Sequence, residues 1–251
     1  MKKIILNGCF GRMGKVITQL AEMSECTEIC AGVDAFSTGN AVFSTYNNIS
    51  DVKEKGDVII DFSNPAALDG LLSFAISTKT PIVLATTGYS QSQLEQISNA
   101  AKIIPIFFTF NMSLGINLLT ALCKKASQIL GSDYDIEIIE KHHNQKLDAP
   151  SGTAIMLANA INNEFNDSLQ YEYDRHSKRM ARPKNEIGIH SVRGGTIVGE
   201  HEVIFAGNDE VISLSHSAAS RDVFASGALR AATYVADKSA GLYDMNMLIS
   251  D

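Results

Sequence analysis

The chain has few residues that would tie it together covalently or hold a metal. Four of its 251 residues are cysteine, at positions 9, 26, 30 and 123. They form no CxxC pair, and no histidine joins them at metal-ligand spacing, which argues against a disulfide framework or a zinc site and for reduced thiols. Positive charge is also scarce: 21 Lys and Arg stand against 28 Asp and Glu, a net charge of −7. Such a field is poorly suited to nucleic acid or anionic membrane, so an anionic ligand must be gripped locally. No apolar run approaches the ~18 residues of a membrane span. The opening MKKIILNGCFGRMG has an apolar run too short for a secretory signal, because glycines interrupt it. Internal repeats and low-complexity segments are missing too. The expectation is a cytoplasmic protein with no membrane, nucleic-acid or metal partner. The basic run RHSKRMARPK, Arg175 to Lys184, reads as a solvated loop.

Apolar residues are plentiful, at 45%, enough for the core of one large domain or two small ones. In the first half, strands and helices alternate. Lys3 to Leu6, Ile29 to Val33, Asp57 to Phe62, Pro81 to Ala85 and Ile103 to Phe108 read as strands. Lys15 to Met23, Ala66 to Ser77 and Gln91 to Lys102 read as helices. That alternation predicts a doubly wound parallel sheet of Rossmann type. The pattern then changes. Helices are expected over Leu114 to Leu130 and Gly152 to Phe165, with a strand over Tyr134 to Glu140. Successive strands follow at Ile187–Val192, Thr196–Phe205 and Glu210–Ser217, then a last helix over Val223 to Lys238. Adjacent strands suggest an α+β domain with an antiparallel or mixed sheet. From this pattern alone, the last helix can pack on either domain.

Within ILNGCFGRMG, Gly8, Gly11 and Gly14 stand after a strand and before a helix. Glycines there let the backbone turn tightly and approach a pyrophosphate, with helix N–H groups pointing at it. A glycine triplet alone is weak, because it also serves to pack a helix on a strand. Context strengthens it: Asp34 ends the next strand, 20 residues beyond Gly14, where it can accept hydrogen bonds from ribose hydroxyls. No Lys or Arg follows Asp34 until Lys53, so a 2′-phosphate would be repelled without a cation to meet it. The chemistry leans to NADH over NADPH, with Arg12 in the loop as the counterweight. Ala85-Thr86-Thr87-Gly88 and Thr109-Phe110-Asn111-Met112-Ser113 also fall at strand ends, where ligands bind in such sheets.

Lys141 to Ala154, KHHNQKLDAPSGTA, is the second candidate site. It gathers two of the six histidines. Successive side chains leaving a strand point opposite ways, so His142 and His143 are expected to do different jobs. An imidazole with a pKa near ~6.5 suits proton transfer. Lys146 can donate a proton or neutralise an anion. Ser151-Gly152-Thr153 at a helix start offers hydroxyls and N–H groups to a carboxylate. Any one of these residues could equally be structural; the cluster favours an anionic-substrate site.

This stretch resembles the signature of the 4-hydroxy-tetrahydrodipicolinate reductases (dihydrodipicolinate reductases), through Glu140, His142, His143, Lys146, Asp148 and Ala149 to Ala154. The likeness extends to Gly8–Gly14, Asp61-Phe62-Ser63, Thr86-Thr87-Gly88 and Asn111 to Asn117. Arg193-Gly194-Gly195, Gly199-Glu200-His201, Ser220-Arg221 and Phe224-Ala225 also match. The resemblance implies hydride transfer from NADH or NADPH to a cyclic unsaturated imine with two carboxylates, in lysine and diaminopimelate biosynthesis. It casts His142 and Lys146 as proton-transfer residues, and His143, Ser151, Gly152 and Thr153 as substrate-binding. Gly8, Cys9, Phe10, Gly11, Arg12, Met13, Asp34, Ala85, Thr86, Thr87, Thr109, Phe110, Asn111 and Met112 would contact the cofactor. It also implies a homotetramer and a discontinuous dinucleotide-binding domain, 1–113 with 222–251, around a substrate-binding and oligomerisation domain, 114–221. Two departures bear on the cofactor: Ala35 to Lys55 is short against many relatives, and Ala35 stands where some members carry Arg. The competing readings are another two-domain imine or amino-acid dehydrogenase, which would not need His-His-x-x-Lys, and a non-catalytic NAD sensor. A sensor needs an output surface, and the sequence offers no helix-turn-helix for one.

Overall fold

The computed structural model describes residues 1–36 and 39–251. The chain divides into two compact units, Met1–Leu114 with Asp222–Asp251, and Gly115–Arg221. The first unit opens with β1 (Lys2–Asn7), α1 (Arg12–Glu22), β2 (Thr27–Val33), β3 (Ser44–Tyr46) and β4 (Val58–Asp61). It continues through α2 (Leu68–Thr78), β5 (Ile82–Leu84), α3 (Gln91–Ala100) and β6 (Pro105–Phe108). The second unit holds α4 (Leu114–Leu130), β7 (Asp135–His142), α5 (Gly152–Glu164), β8 (Gln170–Glu172), β9 (Glu186–Arg193), β10 (Gly199–Ala206) and β11 (Val211–Ala218). The chain then returns to the first unit with α6 (Asp222–Val235), β12 (Gly241–Tyr243) and α7 (Met245–Ser250).

The first sheet has seven strands in the order β12-β6-β5-β4-β1-β2-β3, all parallel. Its strands are apolar on both faces, as a parallel sheet covered on both sides requires. Ile4, Leu6, Val58, Ile60 and Val83 share a core with Ile17 of α1 and the α6 alanines 225, 228, 231 and 232. Ile5, Ile59, Ile82 and Leu84 point the other way, onto Leu68, Leu71, Leu72 and Ala75 of α2 and Ile97 of α3. Each buried Ile or Leu contributes roughly 1.5–3 kcal/mol, so the odd–even split of three short strands positions the whole sheet. The expected Rossmann-type architecture is what folds.

The second sheet is mixed, in the order β11-β10-β7-β9-β8. β10 runs antiparallel to β7 and β11, whereas β9 runs parallel to β7 and β8. Alternate residues of β7, β9 and β10 (Ile136, Ile138, Ile187, Ile189, Val203, Phe205) pack on Ala154, Leu157, Ala158 and Ile161, one face of α5. The other face of β7 carries Asp135 and Glu137.

Most of the basic run is the exposed loop expected of it, and Arg182 departs from that reading. Its side chain is largely covered. It donates to Asp135 at 3.0 Å, to Glu137 at 2.9 Å and to the Ile136 carbonyl at 2.9 Å. Arg175 pairs with Glu186, and Lys178 with Glu172. The acids that neutralise the run lie on neighbouring strands, out of reach of a local charge count. Smaller differences concern short elements. β3, β8 and β12, of three residues each, and α7 are additions. The helix expected from Ala66 starts as a 3₁₀ turn, Pro65–Ala67, with the Asn64 side chain accepting from Ala66 N–H. Within Ala35–Lys55, Ser37 and Thr38 lie outside the described residues.

Candidate active site

In the first unit the glycine turn follows β1 directly. Gly8 has φ +81°, and a Cβ there would lie 2.5 Å from the Phe62 carbonyl oxygen. A Cβ on Gly14 would lie 2.2 Å from the Gly8 oxygen. Only glycine fits either place. α1 then begins at Arg12 with Gly11 as its N-cap and no side chain capping the first turn. A helix start left bare in this way suits an anion. Asp34 follows β2, and its carboxylate accepts from Phe10 N–H at 3.1 Å and Phe36 N–H at 3.2 Å. Gly8, Gly11 and Asp34 share a cleft of about 410 Å³ with Asn7, Phe62 and Ser63. These residues fit the phosphates and ribose of a dinucleotide. A roomier cavity, 740 Å³, is lined by Cys9, Phe10, α1 residues and 39–43, and does not include Gly8, Gly11 or Asp34.

The other cofactor candidates divide by exposure. Cys9 is buried, and burial first, then the Asp34 charge, pushes its thiol up to about 11. Its side chain belongs to the core. Ala85, Thr86 and Met112 are buried, whereas Arg12 and Phe110 are exposed. Phe110 leans edge-on against Phe108, 5.2 Å between centroids. Asn111 takes Ser113 N–H on its Oδ1 at 2.8 Å, closing the turn after β6.

Asp61, the last residue of β4, was quoted in the sequence only as a family match. It is fully buried. Its Oδ1 accepts from Asn7 Nδ2 at 2.7 Å and Ser63 Oγ at 2.5 Å. Its Oδ2 accepts from Thr86 Oγ1 at 2.7 Å and Tyr89 OH at 3.4 Å. Burial raises its pKa and these four hydrogen bonds work against that rise. The group joins the ends of β1, β4 and β5.

In the second unit, His142 ends β7 and is buried, with its Nδ1 2.5 Å from Glu140 Oε2. Glu140 is wholly buried. Arg193, opposite His142 in the β7–β9 register, grips both Glu140 oxygens at 2.8 and 2.6 Å. Ser151 N–H adds a bond to Oε1 at 3.1 Å. Burial alone would raise the Glu140 carboxyl; hydrogen bonds from Arg193, His142 and Ser191 outweigh it and hold it at about 2. The carboxylate therefore stays ionised while it receives Nδ1–H from His142. That fixes the ring and leaves Nε2 to exchange a proton. A Cβ on Gly199 would sit 3.2 Å from that Nε2, so glycine keeps its approach open.

Ser151 is buried, and its Oγ caps α5 by accepting from Ala154 N–H at 3.1 Å. The same Oγ lies 3.0 Å from His201 Nε2, and the His201 ring stands edge-on to His142, centroids 5.2 Å apart. With its amide on Glu140 and its hydroxyl on Ala154 and His201, Ser151 is engaged as a brace for the cluster. Gly152 and Thr153 open the helix beyond it, and Gly152 has open space where a side chain would be. Lys146 Nζ lies 2.8 Å from Asp148 Oδ1, and Lys146 N–H closes a turn on the His143 carbonyl at 3.1 Å. The structure thus gathers His142 and Ser151 into one network. Glu140, Arg193 and His201 were missing from the site expected by residue type, although all three lie in the matched motifs. Their signal was a charge or imidazole at an inward-facing strand position.

A Rossmann-type sheet with a phosphate-fitting turn, and a second sheet built around an oriented imidazole, define a two-domain nicotinamide-dinucleotide oxidoreductase. Comparison with known proteins specifies which. The family model described as "Dihydrodipicolinate reductase, N-terminus" matches residues 2–112, and "Dihydrodipicolinate reductase, C-terminus" matches residues 115–249. The chain is 50% identical over 249 residues to the 4-hydroxy-tetrahydrodipicolinate reductase of Clostridium novyi, covering 99% of this chain and 98% of that one. It is 51% identical over 249 residues to the one from Caldanaerobacter subterraneus subsp. tengcongensis, at the same coverage. The dipicolinate-bound dihydrodipicolinate reductase of Paenisporosarcina sp. TG-14 shares the fold, with a TM-score of 0.83 at 24% identity over 98% of this chain and 99% of that one. The chain belongs to the dihydrodipicolinate reductase family.

Proposed function

We propose that this chain reduces a cyclic unsaturated imine dicarboxylate, the 4-hydroxy-tetrahydrodipicolinate of its relatives' names, to tetrahydrodipicolinate in lysine and diaminopimelate biosynthesis. The observation that carries this reading is the buried Glu140–His142 pair locked by Arg193. A bound nicotinamide cofactor supplies hydride; everything else is the work of side chains. His142, with Nδ1 committed to Glu140, moves a proton through Nε2. Lys146 brings a second ammonium proton, and arriving substrate carboxylate competes with Asp148 for it. His143, Gly152 and Thr153 hold carboxylate at the start of α5, where helix amides favour negative charge. Ser151, assigned to substrate by the resemblance, acts from beneath by fixing Glu140 and the helix start.

The first unit serves as the dinucleotide-binding domain, with Gly8 to Met13 on the phosphates, Asp34 on ribose, and Ala85–Thr87 and Thr109–Met112 toward the nicotinamide. NADH is preferred and NADPH is the alternative substrate. The Asp34 carboxylate and the lack of basic residues from Ala35 to Val52 support that order. The second unit binds substrate and carries the contacts of a homotetramer. The partly exposed Ile139, Val192 and Ile204 on the open sheet face support an interface there. Four free cysteines support a cytoplasmic location.

The test is coupled turnover, with substrate generated in situ from pyruvate and aspartate semialdehyde by the upstream synthase. Loss of reduced-nicotinamide absorbance, faster with NADH than with NADPH, is the expected result. Faster loss with NADPH overturns the cofactor preference alone. No loss with either, despite NADH binding, overturns the activity.

A further inference from the structure

Asp61 is a buried carboxylate whose hydrogen-bond donors, Asn7, Ser63, Thr86 and Tyr89, are all uncharged. Two donors converge on each of its oxygens. The Thr86 hydroxyl oxygen accepts from Ser63 N–H at 3.0 Å, which turns its own hydrogen to Asp61. This is the donor pattern of an ionised carboxylate held in a low-dielectric setting. A charge buried without a counter-ion is costly, and neutral asparagine, with one acceptor oxygen and a donor amide, could not accept all four of these bonds.

The sheet order says what that charge faces. From β1 the chain winds to β2 and β3 on one side, and from β4 to β5 and β6 on the other. The carboxyl ends of β1 and β4 therefore flank the switch point where dinucleotides bind. With ribose at Asp34 beyond β2 and phosphates at Gly8 beyond β1, the nicotinamide half is carried toward the ends of β4 and β5. Asp61 ends β4, and Thr86 lies just past β5.

We propose that Asp61 is a fixed negative charge behind the nicotinamide end of the cleft, favouring the cationic oxidised ring over the neutral reduced one. The proposal rests on reading this cleft as the nicotinamide-dinucleotide site. Hydride leaves with both electrons of its C–H bond for the imine carbon, and positive charge is left on the ring. A preorganised carboxylate stabilises that charge as it develops. The same carboxylate makes the reduced form the better donor.

The experiment measures Kd for NADH and for NAD⁺, by calorimetry, on the full chain and on three variants. Asp61→Asn and Asp61→Ser remove the charge with different side-chain volumes, so failure of one to fold leaves the other. Tyr89→Phe removes one hydrogen bond and keeps the charge. The expected result is a ratio Kd(NAD⁺)/Kd(NADH) raised on the order of tenfold in both neutral variants and within about twofold of the parent in Tyr89→Phe. An unchanged ratio in the neutral variants overturns the proposal. So does an equal rise in Tyr89→Phe, which would make the effect one of packing. If the parent chain binds neither form, the dinucleotide reading fails first, and the proposal with it.

Discussion

Each unit has one carboxylate with no exposed surface, near the carboxyl end of the middle strand of its sheet, Asp61 on β4 and Glu140 on β7. Their surroundings differ. Glu140 has the Arg193 guanidinium on both oxygens and the His142 imidazole on one, and sits at about 2. Asp61 has an amide and three hydroxyls, and burial raises it. The difference matches the two tasks. A carboxylate that must orient an imidazole through its proton cycle needs a permanent cation, so that its own ionisation never changes. A carboxylate meant to act at a distance must not be neutralised by a neighbour.

The largest test of this contrast is Glu140→Gln. Without the carboxylate, His142 loses its orienting acceptor, and turnover should fall by ~10²–10⁴-fold with NADH affinity unchanged in calorimetry. A fall in NADH affinity instead would erase the division of labour. Next, Arg193→Met leaves Glu140 buried and uncompensated. Urea denaturation should show a loss of about 3 kcal/mol, while Tyr89→Phe at the Asp61 cluster should lose about 1 kcal/mol. Similar losses would mean that both carboxylates depend on their partners alike. Asp34→Ala should weaken NADH about tenfold relative to NADPH, and an unchanged ratio would remove Asp34 from cofactor choice.

The smallest effect is on pH. Burial first, and His142 second, lowers His201 from 6.5 to about 4. Between these values the unfolded chain binds the extra proton, so stability should fall as pH drops from 6.5 toward 4. His201→Asn should flatten that part of the profile, and an identical slope would assign it elsewhere.

How legible these regions were in the sequence follows from how local their signals are. Buried parallel strands such as Val58–Asp61 announce themselves as short apolar runs, and the Gly8 turn by its place between strand and helix. The three-residue strands Ser44–Tyr46 and Gly241–Tyr243 carry too few residues for a period, and exist because a neighbouring strand offers an edge. His142 was visible by residue type. Its partners were harder, because Arg193 meets Glu140 across 53 residues of sequence only through the β7–β9 register. Arg182 was misread as solvated for the same reason, with Asp135 and Glu137 45 or more residues away. Asp61 did leave a mark: one acid closing an otherwise apolar strand.

The central claim is that an imidazole oriented by Glu140 moves the proton in a nicotinamide-dependent imine reduction. It is tested most directly by coupled turnover of the parent chain and His142→Gln side by side, with NADH binding measured on both. The account predicts NADH oxidation by the parent, a fall of ~10²–10⁴-fold in kcat for the variant, and equal NADH affinity. Equal kcat in the two proteins would contradict it.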